Sequence, residues 1–368
     1  MEPRQRDLAP GAAPAGDPVA TDALVIGAGP VGLFQVFELG LLDIRTHVID
    51  ALPHIGGQPA LLYPDKPIYD IPGLPVCTGQ GLADALMRQC APFAPQLHLG
   101  QTVTGLERQP DGRFLVETSA RRRLLARTVF IAAGVGAFEP RRLKVDGLDA
   151  FEGSQLHHHA SEAGSLSAKH VLIIGDEDQA IECALALSGD AEDEAHRPAS
   201  VTLMHRRDSF RADADRVALM RERCAMGAMR FVAGQLTGYG ERDGRISEAR
   251  VTLSDGSVST LALDSLLVLQ GLSPRLGPIA DWGLAMERKQ LLVDTERYAT
   301  SVPGIFAVGD INSYPGKRKL LVCGFHECTL AAYAAAGLLR PDRPVQLQYT
   351  TTSPHLHELL GVAQRVDA

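Results

Sequence analysis

The chain has 368 residues, 45% of them hydrophobic and 22% charged, which is the composition of a globular protein and the length of about two domains. Its net charge of −8 is spread without a basic stripe, which argues against nucleic-acid or anionic-membrane partners. No apolar run in the sequence approaches the roughly 18 residues of a membrane span. The first 20 residues are rich in Pro, Ala, Gly, Arg and Asp. They lack the apolar stretch of a secretory signal and are expected to be a disordered tail.

Residues 21–50 read as strand, glycine-rich turn, helix and strand. Ala23–Ile26 runs into Gly27-x-Gly29-x-x-Gly32, Val31 to Leu42 is apolar at helical spacing, and His47–Asp50 closes a βαβ unit. Each glycine has its own task. Gly27 permits the tight turn, Gly29 lets the backbone approach a pyrophosphate, and Gly32 lets helix and strand pack closely. The helix N-terminus offers free N–H groups and a positive dipole end to phosphates. Asp50, at the end of the next strand, stands where a carboxylate accepts ribose hydroxyls.

Gly56 to Pro75 is rich in glycine and proline and is expected to be a loop. A helix is expected over 82–91 and strands over 114–118 and 128–132, with Asp111-Gly112 as a hairpin turn. Residues 147–164 are polar, carry His157-His158-His159, and mark the crossing into a second unit. Consecutive histidines project in different directions, so a solvated loop is expected there and no metal site. The second unit repeats the plan: strand 171–174, helix 178–188 and strand 201–205, with an acidic insertion over 190–196, then strands near 251–253 and 266–269. Val302 to Asp310 looks like a return to the first unit. Gly309-Asp310 could hold a ribityl chain, or be only a strand-end turn.

The expected architecture is α/β, with two Rossmann-like (three-layer ββα) dinucleotide-binding domains, the second inserted into the first. Residues 21–147 and 277–368 would form the outer domain and 148–276 the inserted one. Two cradles on one chain suggest two dinucleotides and electron transfer between them. The six cysteines, Cys77, Cys90, Cys183, Cys224, Cys323 and Cys328, form no C-x-x-C and no zinc-ligand spacing. They are expected to be reduced, buried thiols of a cytoplasmic protein.

Several strings resemble one family. Gly56-Gly57-Gln58, Leu62-Tyr63-Pro64, Ile68-Tyr69-Asp70, Ala132 to Arg141, Leu276 to Leu284, Ser301 to Asp310, Tyr314-Pro315-Gly316-Lys317 and Gly324-Phe325 are similar to the thioredoxin-reductase-like ferredoxin/flavodoxin–NADP reductases. The resemblance runs from about residue 21 to the end. It implies FAD in the first cradle, NADP(H) in the second, a homodimer, and a ferredoxin or flavodoxin as electron carrier. Asp50, Gln58, Tyr63, Val103, Phe138 and Asp310 fall on FAD-contact positions, with Tyr63 stacked on the isoalloxazine. The tail Tyr349-Thr350-Thr351-Thr352-Ser353 falls where the family's C-terminus covers the flavin of the partner subunit, so Tyr349 and Thr351 join the FAD set. Thioredoxin reductases carry a C-x-x-C pair just ahead of the second cradle. Here that stretch is Leu156 to Ala163, without sulfur, and disulfide exchange by that route is excluded.

The second cradle departs from the family. His205-Arg206-Arg207-Asp208-Ser209-Phe210-Arg211 follows the strand, and Arg206, Arg207 and Arg211 form a fork-rich set suited to a 2′-phosphate. The turn itself is Gly175-Asp176-Glu177-Asp178-Gln179-Ala180, where the family has three glycines and then Asp-Ser-Ala. Glu177 occupies the position of close approach to pyrophosphate. A carboxylate ~5 Å from a phosphate at an effective dielectric near 20 costs roughly 3 kcal/mol before screening, about a hundredfold in affinity. The alternative to a ferredoxin/flavodoxin–NADP(+) reductase is therefore an FAD protein with impaired NADPH binding, fed by another donor or acting as a redox sensor. At Gly324 to Cys328, His326 replaces a small family residue. It could donate a proton beside the flavin, or simply alter flavin packing; the second fits better.

Overall fold

The computed structural model describes residues 17–159, 164–189, 197–343, 345–347 and 349–362. Two compact units share the chain: one ends at Ala137 and resumes at Arg275, and the other is Phe138–Pro274. The crossings expected near 147 and 276 lie ten residues and two residues after those positions. The chain passes between the units through Ala137–Pro140 and Leu272–Arg275, which are strands of one two-stranded sheet.

The first unit is built on a seven-stranded mixed sheet. Gln96–His98, Thr46–Ile49, Val19–Ile26, Arg123–Ile131 and Ile305–Ala307 are its parallel strands, and Phe114–Thr118 and Val103–Arg108 continue it as an antiparallel meander. Helices Pro30–Leu41, Gly79–Cys90 and Leu321–Leu339 cover one face, burying Leu33, Val36, Leu39, Leu82 and Leu86. The meander folds over a second core that contains Val103, Phe114, Val116 and Ile131. Asp111-Gly112 is the turn that joins the two meander strands, with Gly112 at φ +87°.

Several expectations are corrected. Val19 and Ala20 already belong to the first strand, so the tail cannot extend to residue 20; residues 1–16 lie outside the described residues. The Gly56–Pro75 segment contains a helix, Gly57–Leu62, because Pro59 falls in the first turn, where a missing N–H costs nothing. Helix Leu321–Leu339 is by length and composition apolar enough to cross a membrane, a run that His326 and Glu327 interrupt in the sequence. One of its faces, with Cys328, Ala331, Ala332 and Ala335, is buried in the core beneath helix Pro30–Leu41.

The second unit is another seven-stranded mixed sheet. Leu156–His157, Ser265–Val268, His170–Ile174, Ser200–His205 and Arg230–Arg242 run parallel, and Arg245–Leu253 and Val258–Ala262 complete an antiparallel meander. Helices Asp178–Leu187 and Ala214–Ala225 pack on one face. The three-histidine run is not a solvated loop: Leu156–His157 pairs with Leu266–Leu267, and His157 and His158 are buried. The acidic insertion 190–196 lies outside the described residues.

Candidate dinucleotide sites

In the first unit the strand Val19–Ile26 ends in a turn that only glycine can make. Gly27 sits at φ +114°, and a Cβ there would lie 2.4 Å from the Ala132 carbonyl oxygen. A Cβ on Gly32 would lie 1.9 Å from the Gly27 carbonyl oxygen. Gly29 differs, because its Cβ would meet only Gly57 Cα, at 3.8 Å, and otherwise enters open space. It caps helix Pro30–Leu41, whose side chains leave the terminal N–H groups without a cap. An open glycine face over an uncapped helix N-terminus fits a pyrophosphate.

Asp50 completes this corner. Its Oδ2 accepts the Ala28 N–H at 2.5 Å and its Oδ1 accepts the Leu52 N–H at 2.7 Å. Burial pushes its carboxyl up, against these two N–H groups, which favour the anion. Each oxygen keeps a lone pair, so a ribose diol fits it. The Gly56 N–H donates to the Ala28 carbonyl at 2.9 Å, which lays the Gly56-Gly57-Gln58 turn against the cradle. Gln58 Nε2 reaches Tyr63 Oη at 3.4 Å, and the Tyr63 ring is 43% exposed, open to a stacking partner.

Asp310 reaches the same helix N-terminus from the far end of the chain. Gly309 stands at φ +78° against Val31, and a Cβ on Gly324 would press on Val31 at 2.6 Å. Burial raises the Asp310 carboxyl, while Lys317 and Lys319 oppose the shift. Beneath it lies a network that sequence reasoning missed. Glu327, fully buried, accepts from the Gly309 N–H at 2.7 Å, Asn312 Nδ2 at 2.8 Å, Tyr314 Oη at 2.9 Å and Lys317 Nζ. A lone glutamate inside an otherwise apolar helix was its sequence signal.

The structure thus gathers Gly27, Gly29, Gly32, Asp50, the Gly57-Gln58 turn and the Gly309-Asp310 turn around one helix terminus, with Tyr63 tied to Gln58. Val103 is buried two residues beyond Gln101, whose N–H donates to the Asp50 carbonyl at 2.9 Å. Phe138 lies in the connecting strand of the second unit and is half-buried. Tyr349 and Thr351 are exposed in the tail, whose following helix, Pro354–Leu359, is fixed by buried Leu356 and by His355 on Asp43 at 2.8 Å. His326 is exposed, with its ring edge-on to Tyr298 at 6.5 Å.

In the second unit Gly175 ends the strand His170–Ile174, and a Cβ there would lie 2.2 Å from the Leu269 carbonyl oxygen and 2.6 Å from Ala180 Cβ. Fully buried Ala180 therefore takes the close-packing role of a third glycine. Glu177 caps helix Asp178–Leu187 through its backbone alone. Arg211 is held by carboxylates: Nε donates to Asp176 Oδ2 at 2.8 Å, Nη2 to Asp176 Oδ1 at 3.1 Å, and Nη2 lies 2.9 Å from Glu177 Oε1. The guanidinium holds the Asp176 carboxyl below its ordinary range. Arg206 and Arg207 are exposed after the strand Ser200–His205. Among the described residues no three His, Cys, Asp or Glu side chains gather as a metal-ligand set, and all six cysteines are free thiols.

The family model of the pyridine nucleotide-disulphide oxidoreductases matches residues 21–327. A ferredoxin–NADP reductase of Polaromonas naphthalenivorans is 56% identical over 95% of this chain and 94% of that protein. One from Polaromonas sp. JS666 is 53% identical over 100% of both chains, and ferredoxin–NADP reductase 2 of Cupriavidus metallidurans is 54% identical over 96% and 94%. The chain belongs to the pyridine nucleotide-disulphide oxidoreductase family and, within it, to the ferredoxin–NADP reductase group. Solved structures share its fold. Lactococcus lactis thioredoxin reductase aligns with TM-score 0.52 and 23% identity over 87% of this chain and 99% of that one. The Staphylococcus aureus bacillithiol disulfide reductase Bdr aligns with TM-score 0.55 and 16% identity over 88% and 100%.

Proposed function

We propose that this chain is a ferredoxin/flavodoxin–NADP(+) reductase, holding FAD in the unit with Gly27–Gly32 and NADP(H) in the unit with Gly175–Ala180. One observation carries the assignment: two glycine turns, each closing a parallel strand onto a helix N-terminus, lie on a chain 53–56% identical to ferredoxin–NADP reductases. When bound, FAD supplies the exchange between two-electron chemistry with a nicotinamide and one-electron chemistry with a carrier.

The chain's own residues bind and orient. Gly29 leaves room for the pyrophosphate, Asp50 accepts the ribose diol, and Asp310 on its Glu327-braced turn takes the ribityl side. Tyr63 and Gln58 face the isoalloxazine, with Val103 and Phe138 as further contacts. Gly175 and Ala180 shape the second turn, and arginines after the second strand take the 2′-phosphate. No side chain need act as acid or base. The expected assembly is a homodimer in which Tyr349 and Thr351 cover the flavin of the partner subunit; Leu347 and Tyr349, both 68% exposed, suit a surface that is covered on assembly. The six free thiols suit the cytoplasm. The electron partner is a ferredoxin or flavodoxin, with no role for nucleic acid or membrane.

Anaerobic NADPH added to the purified yellow protein tests this. Rapid bleaching of the flavin band, followed by reoxidation with ferredoxin or flavodoxin, is the expected result. Failure to bleach, with dithionite still effective, would identify an FAD protein served by another donor. Bleaching without turnover on either carrier would identify a redox sensor.

A further inference from the structure

We infer that Arg211 is not a ligand of the 2′-phosphate but a positioning residue that holds Glu177 off the pyrophosphate turn, leaving Arg206 and Arg207 to discriminate NADP(H) from NAD(H). The inference rests on the assignment of the second cradle to NADP(H).

A guanidinium carries five N–H groups. In Arg211 the Nε group and both Nη2 groups face Asp176 and Glu177 at 2.8, 3.1 and 2.9 Å, so only Nη1 is left to donate elsewhere. One positive charge there stands against two negative ones. A dianionic 2′-phosphate approaching that cluster meets no net attraction, although the two Nη1 N–H groups remain. The main chain fixes the same arrangement. The Arg211 N–H donates to the Asp176 carbonyl at 2.8 Å, and residues 177 and 211 form an isolated parallel bridge. The Glu177 side chain also has a defined seat: a Cβ on Gly271, at φ +74°, would meet its Oε2 at 2.9 Å. Arg206 and Arg207, by contrast, make no side-chain hydrogen bond or ion pair among the described residues, and both are exposed. Their forks are free to take a phosphate on two N–H groups.

Glu177 occupies the position where a free carboxylate would repel a pyrophosphate, and the pyrophosphate is common to NAD(+) and NADP(+). Loss of Arg211 therefore weakens both dinucleotides alike, whereas loss of Arg206 and Arg207 weakens only the one with the 2′-phosphate.

Titration calorimetry of NADP(+) and NAD(+) into the FAD-loaded enzyme tests the division, with flavin content confirming that each variant is folded. Arg211→Gln is expected to lower both affinities by about tenfold and leave their ratio unchanged. Glu177→Gln added to Arg211→Gln restores both. Arg206→Gln with Arg207→Gln lowers the NADP(+) to NAD(+) affinity ratio by roughly ten- to a hundredfold, the worth of one or two charge-assisted contacts. A selective loss of NADP(+) in Arg211→Gln that Glu177→Gln does not rescue would overturn the inference. So would an unchanged ratio in the Arg206/Arg207 variant, which is informative even if Arg211→Gln does not fold. If the parent enzyme binds neither dinucleotide, the assignment of the cradle fails, and the inference falls with it.

Discussion

Lys317 and Glu327 form an ion pair inside the first unit, with side chains 8% and 0% exposed, and both also bind Gly309, Lys317 at its carbonyl and Glu327 at its N–H. The turn that carries Asp310 is thereby held at two points by opposite charges. A buried pair of this kind is a poor source of net stability, because desolvation offsets much of the attraction. Breaking it is costly, since the surviving charge is left without a partner.

Glu327→Ala is expected to destabilise the FAD-free protein by about 3–5 kcal/mol, whereas joint replacement by Lys317→Met and Glu327→Leu recovers most of that loss. Urea denaturation of the parent, the single variant and the double variant measures both changes. Flavin retention should fall in both variants, because Gly309 loses its brace in each. A double variant that recovers stability and still holds FAD normally would show that the pair does not position Asp310.

Gly29 and Gly32 separate binding from folding. Gly32→Ala places a methyl 1.9 Å from a backbone oxygen that cannot move aside, so the strand–helix contact must open. We expect that variant to be insoluble or to unfold many degrees earlier. Gly29→Ala enters open space, and its backbone, at φ −70°, suits alanine. It should leave the thermal midpoint of the apoprotein nearly unchanged and abolish retention of FAD, measured by visible absorbance after gel filtration. A yellow Gly29→Ala protein would mean that the pyrophosphate lies elsewhere.

Asp50 makes the stability of the apoprotein depend on pH. Burial raises its carboxyl above the ordinary value of 3.8, so between the two values the folded chain binds more protons than the unfolded one. Stability therefore declines as pH climbs from 3.8 through the raised value, and is constant again above it. Asp50→Asn should flatten that decline in denaturation midpoints collected across this range. It should also weaken FAD, since the ribose loses a charged acceptor worth about 1.5–3 kcal/mol. A decline as steep as in the parent protein would place the titrating group elsewhere.

The first cradle was legible because its requirements are local: a strand, three glycines within six residues and an acid at the next strand end. In the second unit the helix that follows the glycine turn was legible for the same reason, whereas helix Ala214–Ala225, which no such turn precedes, was not anticipated. What escaped depends on residues distant in sequence. Glu177 looked like an obstacle to phosphate binding because its partner Arg211 is brought beside it only by the parallel bridge between their segments. His157 looked solvated because the strand that covers it, Ser265–Val268, lies more than a hundred residues on. The Glu327 network joins residues no more than 18 apart and was hidden instead because the turn that folds Gly309, Asn312, Tyr314 and Lys317 onto one carboxylate has no sequence period. The helix Gly57–Leu62 was hidden by composition, since Gly56, Gly57 and Pro59 each suggest a loop until the proline is seen in a first turn.

Thiol chemistry gives a last test. Burial pushes the Cys90 thiol up to about 12 and Cys183 to about 11, and raises the fully buried Cys328 well above the ordinary range. Alkylation needs the thiolate and access to it, and Cys90 and Cys328, fully buried, have neither. Iodoacetamide at pH 8 should therefore leave both unmodified in the native protein, by peptide mass spectrometry, and label them only after unfolding. Electron flow from NADPH to a ferredoxin should survive the treatment, because all six cysteines are free and none forms a dithiol pair. Activity lost in step with labelling of one cysteine would mean that a thiol, and not the flavin alone, carries electrons through this chain.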